Sequence, residues 1–396
     1  MFISQFDITW IVWFILVFVM MFLYPVMMLQ YVLARLQQTL DMISGFSSEA
    51  KKMILKTVSK KTKKDVKDAI NNFLEFFMIE PISLDPYGIV KKLEHISNLS
   101  EEKFKHFVRA IVPNSDTEFQ ANLAMGLSSA LSLYQIEKLI RHYVELVKKT
   151  KNSQLGLILQ MQLPMVERLA RALLYGTEAF TNNWPIGDSF GAMVAARLIG
   201  NSKGKEMEED TLVVRKRIRG KDVFIVKAKG PGGRLGKLGK VVEKLVKKHK
   251  VRKIITVDAA AKLEGEKTGT IAEGIGVAIG GIGVDRSYIE NIATSKNIPL
   301  DSFVVKMSQE EAISPMPLEV FNSVEPTVKR IEENIAATKG PIVVVGVGNS
   351  CGVGNDEKSL KETESLIRKN ARMMKKREEE EKKKAEKVSW FRPFGF

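Results

Sequence analysis

The sequence predicts an α+β protein of several domains: an N-terminal transmembrane helix, a helical region and a C-terminal three-layer α/β domain. Three observations predict it. An uncharged apolar run occupies 8–33, apolar residues recur at three and four through about residue 182, and short β-branched runs alternate with helical stretches from about residue 210. A chain of 396 residues has room for these divisions. The expected boundaries are 1–34 for the anchor, 35–182 for the helical region, 183–356 for the α/β domain and 357–396 for a charged helical tail with an aromatic end.

The anchor reads "ITWIVWFILVFVMMFLYPVMMLQYVL". As a helix this run extends about 39 Å, enough to cross a bilayer. It lacks the basic start, short apolar core and small-residue cleavage site of a secretory signal, so it predicts a permanent span in contact with membrane lipid. Trp10 and Trp13 stand near one end, where amphipathic rings favour the interface, and Pro25 is a candidate kink. Asp7 is the one charge before the span, whereas Arg35, Lys51, Lys52, Lys56, Lys60, Lys61, Lys63, Lys64 and Lys67 follow it. That asymmetry predicts a single-pass protein of the cell membrane, with its N-terminus outside and the rest cytoplasmic.

Beyond the span, "NLAMGLSSALSLYQIEKLIRHYVELV" (122–147) and "QLGLILQMQLPMVERLARALL" (154–174) have helical spacing, the second with Pro164 inside. Two further helices are expected, one entered at Asp85-Pro86 and one capped by Ser100. Such stripes belong to a packed bundle or to a platform for a partner. Strands are expected at 210–218, 222–228, 253–259, 302–307 and 341–348, with a helix at 238–249. Glycine clusters fall at 230–236, 274–283 and 346–354, where strands end and where α/β sheets collect ligands. In the tail, Leu360, Leu366, Ile367 and Met374 could dock one face, and the aromatic end at 390–396 could meet a membrane or a partner.

Composition excludes several classes. One cysteine, Cys351, gives no intramolecular disulfide framework and reads as a buried small residue rather than a nucleophile. Four scattered histidines lack zinc-site spacing. The net charge of +15 suits a face near anionic lipid, but no basic-aromatic module for nucleic acid occurs. "KGPGGRLGK" (229–237) lies between a strand and a helix, yet five residues separate Gly230 from Gly236 and Leu238 stands where a phosphate loop needs Ser or Thr.

Two carboxylates remain. Asp258 follows "IITV" and precedes Ala259, Ala260 and Ala261; Asp188 lies in a glycine-flanked turn before an apolar helix. From the residues alone, Asp188 is a helix cap or a site acid, and Asp258 a strand-end carboxylate bound to loop amides or a site acid. The segment "IITVDAAAKLEGEKTGTIAEGIGVAIGGIGVDR" (254–286) resembles the core of the spore germination protease family and its sporulation relatives, and "GDSFGAMVA" (187–195) resembles their second signature. "VVVGVGN" (343–349) is similar to the opening strand of the related hydrogenase-maturation proteases. Here that strand comes last, Ala192 stands for a signature proline and Asp285 for a closing asparagine. A circularly permuted sheet would restore the strand's place. The whole chain also resembles an uncharacterised archaeal family with one N-terminal span.

The resemblance implies a phosphorylase/hydrolase-like domain in which Asp188 and Asp258 are catalytic, or hold a divalent metal. It also implies that Gly187, Gly281, Gly283, Asp285, Gly346, Gly348 and Asn349 line a ligand. Two carboxylates sharing a proton can activate water and protonate a leaving amine. The expected function is an aspartate-pair peptidase acting on an unknown protein; the alternatives are a non-catalytic scaffold and an anion- or nucleotide-binding module.

Overall fold

The computed structural model describes residues 5–62, 66–81, 88–281 and 283–390. Its first half is helical: α1 (Gln5–Ser59), α2 (Lys67–Phe73), α3 (Ile89–Ile111), α4 (Thr117–Thr150) and α5 (Ser153–Thr181). Helix α1 runs without a break through residue 34, with Pro25 inside it. Among the described residues, one helix is long and apolar enough to cross a membrane. Val19 is the least exposed large apolar residue between Trp10 and Met27, and it is still 46% exposed.

The same helix then changes surroundings. Val32, Leu36, Leu40, Ile43, Ala50, Ile54 and Val58 are buried at helical spacing against α4 and α5, forming one core with Leu127, Val144, Leu163 and Ala170. A Cβ on Gly156 would stand 2.6 Å from Val32 Cγ1, so glycine is what lets α5 close on α1. Asp116 caps α4 and Asn152 caps α5 through their side chains.

Ser100 is not a cap. It lies inside α3, which runs unbroken where two helices were expected, because 97–100 contains no Pro or Gly to stop it. Asp85, Pro86 and the aromatic residues 391–396 lie outside the described residues.

The second half carries the 3-10 turn Gly187–Ser189, α6 (Phe190–Ile199), β1 (Lys205–Glu208), β2 (Thr211–Ile218), β3 (Lys221–Ala228), α7 (Leu238–Lys248), β4 (Lys253–Ala261), β5 (Ile271–Ile275), α8 (Val284–Lys296), β6 (Leu300–Met307), α9 (Gln309–Ile313), α10 (Leu318–Asn322), α11 (Val324–Ala337), β7 (Ile342–Gly346) and α12 (Glu357–Trp390). The strands form one mixed seven-stranded sheet, ordered β1-β2-β3-β7-β4-β6-β5. Strands β3, β7, β4 and β6 are mutually parallel, and the remaining pairings are antiparallel.

The parallel strands are apolar on both faces, as burial under helices requires. Val223 and Ile225 face a core with α6 and α11, whereas Phe224 and Val226 face a core with α7 and α8. Arg219 and Gly220, at φ 48° and 76°, make the tight β2–β3 turn. In α12, Leu360 and Ile367 are buried in the first of these cores. Strands β1 and β5 had no expectation: β1 is short and charged, and β5 is interrupted by Gly274.

Candidate functional site

Strand β4 does not end at Asp258. It continues through Ala261, with Ala259, Ala260 and Ala261 opposite Val305, Lys306 and Met307 of β6. What ends there is the neighbour on the other side. Strand β7 stops at Gly346, opposite Val257, so Asp258 is the first β4 residue without a β7 partner. The gap beside it receives the turn that carries Asp188. That turn is seated without room for side chains: a Cβ on Gly191 would lie 2.2 Å from Val257 O and 2.3 Å from Val347 O, and one on Gly348 would lie 1.9 Å from Asp188 O. Gly348 has φ 106°, a conformation only glycine adopts freely. Three segments far apart in sequence thus meet at the carboxyl edge of the sheet.

There the two acids interact. Asp258 is 4% exposed, and Asp188, half-buried as a whole residue, has its carboxyl buried as well. Burial, and then the charge of Asp188, push the Asp258 carboxyl up to about 8. Burial also raises Asp188, against the Asn349 N–H that donates to its Oδ2 at 2.9 Å. Asp258 accepts N–H bonds from Ala259 at 2.7 Å and from Gly280 at 3.3 Å. Asn349 is itself buried; its Oδ1 accepts the Cys351 N–H, and its Nδ2 has no partner among the described residues.

The other residues named from sequence separate into different surroundings. Gly187 and Gly346 are packing positions: Cβ atoms there would meet Glu311 O at 2.2 Å and Gly191 O at 2.3 Å. Gly281 and Gly283 lie in an open loop, where an added Cβ would find no described atom within 4 Å. Asp285 is not at the pair. Its Oδ1 accepts the Gly239 N–H at 2.7 Å, tying α8 to α7, and its charged neighbours are Lys237, Glu94 and Lys240. Cys351 is buried, and burial raises its thiol far above the ordinary range.

The two other glycine segments are filled by the protein itself. In 230–234, the N–H groups of Gly230, Gly232, Gly233 and Arg234 go to Asn355, Glu118, Asn122 and Ser350 side chains. Glu118 also pairs with Arg234, so a carboxylate from α4 occupies the place an anion would take. In the segment after β7, the Val347 N–H goes to Val257 O and the Gly352 N–H to Asn183 Oδ1.

Among the described residues no three His, Cys, Asp or Glu side chains converge on a point. Three of the four oxygens of Asp188 and Asp258 each accept one N–H bond.

Two features were missed in the sequence. Thr256 and Ser302 share a hydrogen bond of 2.7 Å inside neighbouring strands, and Ser302 holds the Gly276 carbonyl and the Ala278 N–H, which anchors the open glycine loop. Hydroxyls within apolar runs were the available signal. Lys227 is fully buried at the end of β3, its Nζ bonded to Gly354 O and Asn355 Oδ1, and burial pushes it down to about 7. A lysine after "FIV" was the sign of it.

With this architecture in view, two family models match the chain. The N-terminal domain of a protein family of unknown function (DUF1512) matches residues 10–183, and its C-terminal domain matches residues 186–354. The chain belongs to this family. No curated protein and no solved structure matches it.

Proposed function

We propose that Asp188 and Asp258 form a one-proton acid–base centre that hydrolyses peptide bonds at the inner face of a membrane, on a domain of phosphorylase/hydrolase-like type. The observation that carries this reading is the second carboxylate: an Asp258 whose carboxyl is raised first by burial and then by the charge of the neighbouring Asp188. Around neutral pH Asp258 keeps its proton. Asp188, whose charge Asp258 feels and whose Oδ2 accepts the Asn349 N–H, acts as the ionised partner. Water attacks the carbonyl carbon while Asp188 takes one of its protons. Asp258 gives its proton to the departing nitrogen as the C–N bond breaks, leaving a carboxylic acid and an amine.

The open glycine loop after β5 supports the same reading. It lies on Asp258 through Gly280, and its bare backbone lets an extended peptide approach closely. Helix α1 acts as the anchor, and the lysines after it favour a cytoplasmic catalytic half. The resemblance to germination proteases points to the same two acids.

The test is to reconstitute the full chain in vesicles, add an unfolded protein mixture and map new N-termini by mass spectrometry. Cleavage by the natural chain is expected, with a loss of about 10²–10⁴-fold in both Asp188→Asn and Asp258→Asn. No cleavage, or cleavage surviving both substitutions, overturns the peptidase and leaves a non-catalytic scaffold.

A further inference from the structure

The end of the helical bundle nearest the apolar span is built for a charged surface. Helix α5 runs parallel to α1: Gly156 packs on Val32, and Glu167 accepts the Thr39 hydroxyl. Helix α4 runs the other way: Gly126 lies against Ile54, whereas Val147 reaches Gly156. The α4–α5 turn, which lies between Val147 and Gly156, therefore sits at the level of Val32 or just before it on α1, and the Lys148 side chain reaches back to bond Gln37 Oε1 at 3.1 Å.

That turn carries Lys148, Lys149 and Lys151, all exposed. Lys148 also pairs with Glu145, while Lys149 and Lys151 have no ion pair among the described residues. The nearest acids on α1 and α5 are engaged: Asp41 accepts from Gln37, and Glu167 is held by Thr39 and Arg35. Just past the turn, Ile158 and Met161, three residues apart on one face of α5, are 60% and 79% exposed.

These facts fix a level. Three lysines cannot sit in hydrocarbon, so the hydrocarbon part of the span ends before Val32. Counting about 20 helical residues for a 30 Å core from residue 8 ends it near residue 28. The residues around Val32, and the turn beside them, then lie in the headgroup layer.

We propose that the α4–α5 turn, with Ile158 and Met161, is a second membrane contact that docks on anionic phospholipid. It rests on α1 being a span. Lysines meet the headgroup charges, and the two apolar side chains enter the interface as they do on surface-bound amphipathic helices. The contact is continuous with the span, and it would hold the bundle at a fixed tilt over the bilayer.

The test uses the full chain with one fluorophore on Ile158→Cys, on Lys60→Cys or on Phe18→Cys; the natural Cys351 is buried and stays unlabelled. Lys60 is about 40 Å along α1 from Val32. Each variant is placed in phosphatidylcholine vesicles with or without phosphatidylglycerol, and with headgroup or deep-chain nitroxide lipid. Headgroup quenching at 158 is expected to exceed that at 60 severalfold and to grow with phosphatidylglycerol. Reversing Lys148, Lys149 and Lys151 to Glu should lower the docked-to-undocked ratio by at least about fivefold per residue. Deep-chain quenching at 18 with no headgroup quenching at 158 overturns this contact alone; no deep-chain quenching at 18 overturns the span as well. Protection of 158 that is equal in both lipids and in detergent, with cross-links between copies, assigns the face to a second copy and overturns the lipid contact.

Discussion

The glycine-rich segments of the C-terminal half are of two kinds. Those at 230–236 and 346–354 are closed. Their glycines lie against backbone and side chains, as Gly230 against Val353 and Gly348 against Asp188, and their amides are bound from within the chain. The one at 274–283 is open: a Cβ added to Gly274, Gly276, Gly280, Gly281 or Gly283 would find no described atom within 4 Å. The same residue type therefore does opposite things. In the closed segments it lets chains touch, and this brings Asp188 beside Asp258. In the open segment it leaves a bare backbone beside that pair.

The strongest way to break this contrast is Gly348→Ala. Its Cβ would enter the Asp188 carbonyl at 1.9 Å, with φ at 106°. A loss of more than about 3 kcal/mol of folding stability is expected, read by urea unfolding.

Asp258→Asn sharpens the contrast from the other side. The native Asp258 holds its proton to about 8, against an ordinary value of 3.8. Between these values the folded chain keeps a proton that the unfolded chain has lost, so stability is full below about pH 4 and falls as pH rises through 8. Asparagine removes that slope, and the variant is expected to be more stable at pH 8 by on the order of 3 kcal/mol. An unchanged slope in urea midpoints between pH 4 and 9 would mean that Asp258 is not the titrating group.

Glu118→Gln weakens one closed segment without adding bulk. The loss of a charge-assisted bond to Gly232 and Arg234 should cost about 1–3 kcal/mol and speed amide exchange at 232–234. The smallest effect belongs to the open loop. Gly280→Ala should leave stability within about 1 kcal/mol. Cleavage, if the pair is a peptidase, should nonetheless drop, because the new methyl stands where substrate approaches; equal cleavage would detach the loop from the site.

Much of the framework was legible. Apolar runs with β-branched residues gave β2, β3, β4, β6 and β7, and three-and-four spacing gave α4, α5 and α7, since burial imposes those periods directly. Asp188 and Asp258 stood out as acids among small and apolar neighbours. Their distinct surroundings did not, nor did the place of Asp285, which shares the glycine context yet ties α7 to α8. Ser100 had the chemistry of a cap but continued a helix.

The sequence by itself determined most of the helices and the five apolar strands, that residues 8–33 match a bilayer in length and polarity, and that two acids sit where apolar runs meet small residues. These are local properties, set by side-chain chemistry and spacing. Tertiary structure alone decided that β7, last in the chain, enters the middle of the sheet, that its stop at Gly346 opens a gap beside Asp258, and that Asp188 fills it. It likewise decided that one half of α1 packs and the other does not. Those outcomes depend on which backbones approach within a few ångströms, and such proximity between residues about seventy or more positions apart leaves no mark in local pattern.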